Sequence, residues 1–166
     1  MNVQINILIN EIHKGIEVLD KINAFYQDYK SAKISAQNNA IDQTEYAIVI
    51  SEIVTNYYTC LETIFLRISQ FFENQLNAKK WHKNLLEKMR IQINGVREKA
   101  ISDDTYYLLL ELLKFRHFKR YYFEFNYDVD KISFLEKKFE QVDPLVKKDL
   151  DDFLAFLQKL TEANDN

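Results

Sequence analysis

Residues 46–72, YAIVISEIVTNYYTCLETIFLRISQFF, decide the fold. Tyr46, Ile50, Ile53, Val54, Tyr57, Tyr58, Leu61, Ile64, Phe65, Ile68, Phe71 and Phe72 return at steps of one, three and four. That rhythm is the period of an α-helix, and the apolar stripe it produces is too wide for a helix resting on a single neighbour. The stretch reads as a central helix buried on more than one side. Asp42, with Glu45 three positions on, reads as its capping box, and the pattern runs to about Leu76.

The flanking sequence supplies the helices that such a core needs. Ile5, Leu8, Ile9, Ile12, Ile16, Leu19 and Ile22 predict an amphipathic helix over 3–31, with the small, polar SAKISAQNNA (31–40) as the connection. NAKK (77–80) breaks the pattern before a shorter helix from Trp81 to about Ile93, with Trp81, Leu85, Leu86 and Met89 on one face. INGVREKAISDD (93–104) reads as a loop around Gly95, and Ser102 or Asp103 can cap a fourth helix carrying Tyr106, Tyr107, Leu109, Leu110 and Leu113. Asp143-Pro144 is a helix-start signal, with Asp as cap and Pro in the first helical position, and predicts a last helix from there to about Leu160. Ile132 to Phe139 is then a short helix or turn.

With two Gly and one Pro in 166 residues, the punctuation of strands and tight turns is nearly missing. The expectation is one all-α domain over 1–166, a compact bundle of five or six helices around one long central helix. Twelve Phe and ten Tyr are more than one small core needs, so part of them is expected in an interface.

The net charge of −3 argues against a surface that is basic all over, but the charges are segregated. Lys79 to Arg120 holds eleven Lys/Arg against five Asp/Glu, while the rest of the chain holds eleven against twenty. A face that meets phosphates or an acidic partner gives this pattern, and so does a solvated helix face. Cys60 stands alone, so neither a disulfide framework nor a thiolate metal site can be built, and a reducing, cytoplasmic setting follows. MNVQINILIN lacks the marks of a signal peptide, and no apolar run reaches the ~18 residues of a membrane span. His13, His82 and His117 are far apart in sequence and do not suggest a metal site.

The chemistry concentrates in FRHFKRYYFEFNYD (115–128). Arg116, His117, Lys119 and Arg120 follow Lys114, and Tyr121, Tyr122, Phe123, Phe125 and Tyr127 follow them. Together with NYYTCLETIFLRIS (56–69), WHKNLLEKM (81–89) and LDDFLAFLQKL (150–160), in that order, this stretch resembles the HepT-like ribonuclease toxins of the HEPN superfamily over residues 56–160. That resemblance implies an all-helical homodimer, paired with a minimal nucleotidyltransferase antitoxin, that cuts RNA, with tRNA as the target class, without a metal or cofactor. Family members place two copies of their motif across a two-fold cleft.

The family motif is Arg, four residues, His, one residue, Tyr. Metal-free RNA cleavage needs a proton-transfer group near the 2'-hydroxyl and a cation on the phosphate, and His and Arg provide them. On this chain the resemblance assigns catalytic positions to Arg116, His117 and Tyr121, and RNA contacts to Arg116, Lys119, Arg120 and Tyr122. Tyr121 stands where the family has its His, and Phe123 where it has its Tyr. A Tyr side chain titrates near ~10, so it replaces an imidazole poorly at neutral pH. His117, one residue out of place, or the Tyr122 hydroxyl could repair the motif. Otherwise the chain is a non-catalytic helical dimer that binds RNA or a nucleotidyltransferase partner. For Arg116 and Arg120 the structural alternative is pairing with carboxylates of neighbouring helices or with Asp128.

Overall fold

The computed structural model describes residues 2–35, 43–73 and 81–163. Among these are five helices and no strand: α1 (Asn2–Ser35), α2 (Gln43–Glu73), α3 (Trp81–Met89), α4 (Asp103–Lys119) and α5 (Val129–Ala163). The Asp42 half of the expected capping box lies outside the described residues, as do the side chains of Trp81 and His82.

The central position read for residues 46–72 holds. Among the described residues α2 packs against each of the other four helices, α1 and α4 each lie against both α2 and α5, and α1 and α4 do not touch. Ile50, Val54, Tyr57, Tyr58, Leu61, Phe65 and Ile68 are all essentially removed from solvent. Gly15 lets α1 approach α2 closely, because a Cβ there would stand 2.5 Å from Ile64 Cγ1. Beside it the Cys60 thiol donates to the Gly15 carbonyl at 3.6 Å, and partial burial pushes that thiol's pKa up. It behaves as a packing group.

The last helix departs from the sequence reading. Asp143-Pro144 does not start it. α5 is continuous from Val129 to Ala163 with Pro144 inside, and it absorbs the separate element expected at Ile132–Phe139. Asp128 supplies the real cap, its Oδ1 accepting from the backbone N–H of Asp130 at 2.9 Å and of Lys131 at 3.3 Å. Asp143 is buried instead and accepts from Asn23 Nδ2 on α1 and from Lys147 Nζ, both at 3.0 Å. Phe139, Val142, Val146 and Leu150, on both sides of the proline, are fully buried. Their packing outweighs the local cost of a residue that lacks an N–H and crowds the preceding turn. The third helix ends at Met89 rather than Ile93 because the chain turns into a loop bridged between Ile93 and Arg97, with Gly95 at φ 74°.

A continuous α5 makes Pro144→Ala a stabilising change. It removes the steric clash and restores an N–H to the Glu140 carbonyl, against a smaller loss from a freer unfolded chain. The expected gain is about 1–2 kcal/mol in urea unfolding. A loss of stability would mean that a helix does begin at Pro144.

Candidate functional site

The site is built on the last turn of α4. Ser102 caps the helix start, accepting from Thr105 N–H at 3.3 Å. Asp149 of α5 locks that cap by accepting from Ser102 N–H at 2.8 Å, Ser102 Oγ at 3.0 Å and Thr105 Oγ1 at 2.5 Å. Asp103 and Asp104 lie in the first turn and Arg116, His117 and Lys119 in the last, the arrangement that the helix dipole favours. Part of the cationic run is therefore a helix end.

Each cation of the run has its own fate. Arg116 reaches back to α2, its Nε donating to Thr59 Oγ1 at 3.1 Å and its Nη2 lying 3.2 Å from Glu62 Oε2. Its Nη1 is buried and meets no acceptor among the described residues. Lys114 pairs with Glu111 at 2.6 Å and Lys119 with Glu52 at 2.5 Å. Arg120 closes the helix with its N–H on the Arg116 carbonyl at 3.2 Å, while its side chain is exposed and has no carboxylate partner among the described residues. His117 is half-buried, about 100° round α4 from Arg116. Asp128, occupied in capping α5, pairs with neither arginine.

The helix has ended before position 121, where the resemblance puts the family's histidine. Tyr121 sits in the turn after Lys119, its N–H on the Phe118 carbonyl at 3.1 Å and its side chain 75% exposed. Phe123 is 85% exposed. Tyr122 does not offer a free hydroxyl. It donates to the Asn126 carbonyl at 2.9 Å, and its ring stacks on Phe118 at 4.7 Å. Both rings line an aromatic cleft of about 480 Å³ with Phe115, Tyr127 and Phe134. Phe118 is two residues from Arg116, so the cleft lies on the far side of α4 from that guanidinium.

Sequence reasoning passed over Thr59 and Glu62, the two groups that hold Arg116. They are three residues apart on one face of α2. The available signal was a glutamate inside the widest apolar stripe of the chain, a placement that demands a cationic partner. Tyr58 is buried beside this pair. Burial first, and the Glu62 charge second, push its hydroxyl well above the ordinary tyrosine value, while Arg116 works the other way. It stays neutral.

Within the basic region from Lys79 to Arg120, the part from Lys88 to Arg97 is in large part structural. Lys79 lies outside the described residues. The Arg97 side chain is wholly buried and donates to Glu73 Oε1 at 2.8 and 3.2 Å, and to the carbonyls of Ile91, Lys88 and Glu98. Lys88 takes the other Glu73 oxygen at 2.6 Å, and Arg90 lies 3.3 Å from Asp103 and over the Tyr106 ring. Arginine in such a place ties the 90–102 loop to α2 and α3 and is closed to phosphate.

These features define an all-α bundle whose main cationic cluster is presented at the end of one helix and anchored on the central one. A family profile described as HepT-like protein matches residues 49–157, and the chain belongs to that family, within the HEPN superfamily. No curated protein and no solved structure matches it. Among the described residues, no helix is long and apolar enough to cross a membrane.

Arg97→Ala leaves Glu73 with Lys88 alone and strands three carbonyls around a buried void, so it should cost about 3 kcal/mol in denaturant unfolding, the lower end for one partner of a buried pair. A loss within measurement error would mean that the loop is held by something else. The same pair sets an acid response. Burial works to raise the Glu73 pKa, but hydrogen bonds from Lys88 and Arg97 overcome it and leave it below the usual value of 4.5. The unfolded state then binds the proton more readily, so this stability is complete above about pH 4.5 and is lost as pH falls through the lower folded value. Melting temperature against pH should fall more steeply in that window for the natural protein than for a folded Arg97→Lys variant.

Proposed function

We propose that this chain is a HepT-like ribonuclease-toxin component, one half of a toxin–antitoxin pair, with a weakened catalytic motif. It acts as a homodimer on RNA, tRNA being the class its family implies, and pairs with a minimal nucleotidyltransferase. Arg116 is the phosphate-facing cation, Arg120 and Lys119 extend the contact, and Tyr121 and Phe123 replace the two proton-handling groups.

The observation that carries this reading is the placing of Arg116. The resemblance gives it the motif's first position, and it lies on the last turn of α4 against Thr59 and Glu62, while residue 121, where the resemblance puts the histidine, is an exposed tyrosine beyond the helix end. Glu62 offsets much of the Arg116 charge. Arg120, without such a partner among the described residues, carries the strongest open charge in the run. An arrangement with fixed cations and no imidazole at the proton-transfer position binds RNA better than it cuts it.

Two measurements test this. RNA binding should fall steeply with salt, and Arg120→Ala should reduce the slope of log K against log salt by about one phosphate contact. Arg116→Ala with Arg120→Ala should abolish binding, and an unchanged affinity in the double variant would move the site elsewhere. Cleavage by the natural protein should be slow or absent. Tyr121→His should raise it by up to ~10²–10⁴-fold, the usual contribution of a placed proton-transfer group, and only while Arg116 is present. A robust natural nuclease that survives Tyr121→Phe and dies with His117→Ala would place the chemistry at His117.

A further inference from the structure

Between the end of α4 and the start of α5, the cleft of about 480 Å³ is walled mostly by rings: Phe115, Phe118, Tyr122, Tyr127 and Phe134. Its size and its apolar lining with a few polar groups are those of a ligand pocket. Phe118 and Phe134 are 50% and 47% exposed, so the bundle leaves both rings half-covered. Phe118 and Tyr122 stack at 4.7 Å with 27° between their planes, and Tyr127 lies 5.5 Å from Tyr122. The hydrogen bond from the Tyr122 hydroxyl to the Asn126 carbonyl, at 2.9 Å, holds that wall in place.

The charges choose the occupant. Those lining the cleft are Glu111, Lys114, Asp128 and Lys131, two of each sign. Glu111 and Lys114 are paired with each other at 2.6 Å, and Asp128 commits Oδ1 to the amides at the start of α5. Lys131 is the open one: its side chain is 81% exposed and only 4.0 Å from Asp128 Oδ2. Lys138 adds an ammonium over the Phe134 ring, 5.2 Å from its centre. A cationic ring would meet these lysines, and a highly charged anion would meet the two carboxylates. A neutral flat group with a single anion beside it meets neither objection, and a nucleotide has that form. Asn126 also lines the cleft, and its side-chain amide can both donate to and accept from a base edge.

We propose that the cleft takes one base of a single-stranded RNA, with Lys131 on the neighbouring phosphate. This inference rests on the RNA reading above and extends the contact to the other side of α4. Arg116 and Arg120, four residues apart, share one side of the helix end, and Phe118 stands on the other. A helix with its side chains is about 10–12 Å across, so a strand of a few nucleotides crosses the end of α4 and reaches both. A two-fold contact that gathers both copies of Arg116 uses the side away from the cleft.

The test measures binding of the full chain to a short, labelled single-stranded oligoribonucleotide and to an abasic strand of the same length, with helicity by circular dichroism as the check on folding. Phe118→Ala and Phe134→Ala should each weaken binding of the base-bearing strand by about 5- to 150-fold, the loss expected for one stacked base. The salt slope should stay as it is, because stacking releases no counterions, and the abasic strand should bind the natural protein and both variants alike. Lys131→Ala should instead lower the salt slope by about one contact for both strands. A natural protein that binds neither strand overturns this site and the RNA reading together. Binding that depends on Arg116 and Arg120 but ignores both ring changes, or an equal loss for the abasic strand, overturns the base site alone. A free nucleoside 5'-monophosphate that binds as tightly as the strand would make the cleft a small-molecule site, and a fall in native mass with Phe134→Ala would make it a protein contact. Either result overturns the assignment to RNA.

Discussion

Glu62 is the one charged side chain among the buried residues of α2, and the rest of the site follows from accommodating it. A carboxylate surrounded by Tyr58, Leu61 and Phe65 is tolerated only with a cation and hydrogen bonds at hand. Arg116 supplies both from the last turn of α4, and Thr59 takes a second donor of the same guanidinium. One interaction thus does two jobs: it lets a charged residue sit on the buried face of α2, and it fixes the direction of Arg116. The guanidinium is held in place, with part of its charge committed to Glu62.

The segregation of charge along the chain has the same double character. A sequence count registers the surplus of cations from Lys79 to Arg120 as one basic region. In three dimensions the surplus divides. Arg97 and Lys88 converge on Glu73, Arg90 lies on Tyr106 beside Asp103, and Lys114, Arg116 and Lys119 each meet a carboxylate. The acidic partners come partly from α2, outside the region itself, so a local count misses them. Among the described residues of the region, Lys99 and Arg120 are exposed cations that meet no carboxylate, and Arg120 stands next to exposed Tyr121 and Phe123. A base-stacking, phosphate-binding surface has that composition, yet it is far smaller than the sequence suggested.

Helix identity was legible in the sequence because burial repeats with the helix period and leaves its trace in every turn. The three- and four-residue steps of Ile5 to Ile22 and of Tyr46 to Phe72 mark α1 and α2, and Ser102 marks the start of α4 through its own side-chain chemistry. Local chemistry misled at Asp143-Pro144. The pair has the form of a helix start, but Asn23 of α1 and Lys147 claim the Asp143 carboxylate, and the flanking buried residues carry α5 through the proline.

Tertiary structure alone decided which charges cancel, because partners such as Arg116 and Glu62, or Arg97 and Glu73, are far apart in sequence and meet only when helices pack. It also decided that the Tyr122 ring turns into the cleft rather than toward Arg116, and that Tyr121 stands beyond the end of α4. The sequence by itself determined most of the helices and the buried face of the central one, since these depend on patterns within one helix length. The direction and the net charge of the site depend on contacts between helices, and no local pattern encodes those.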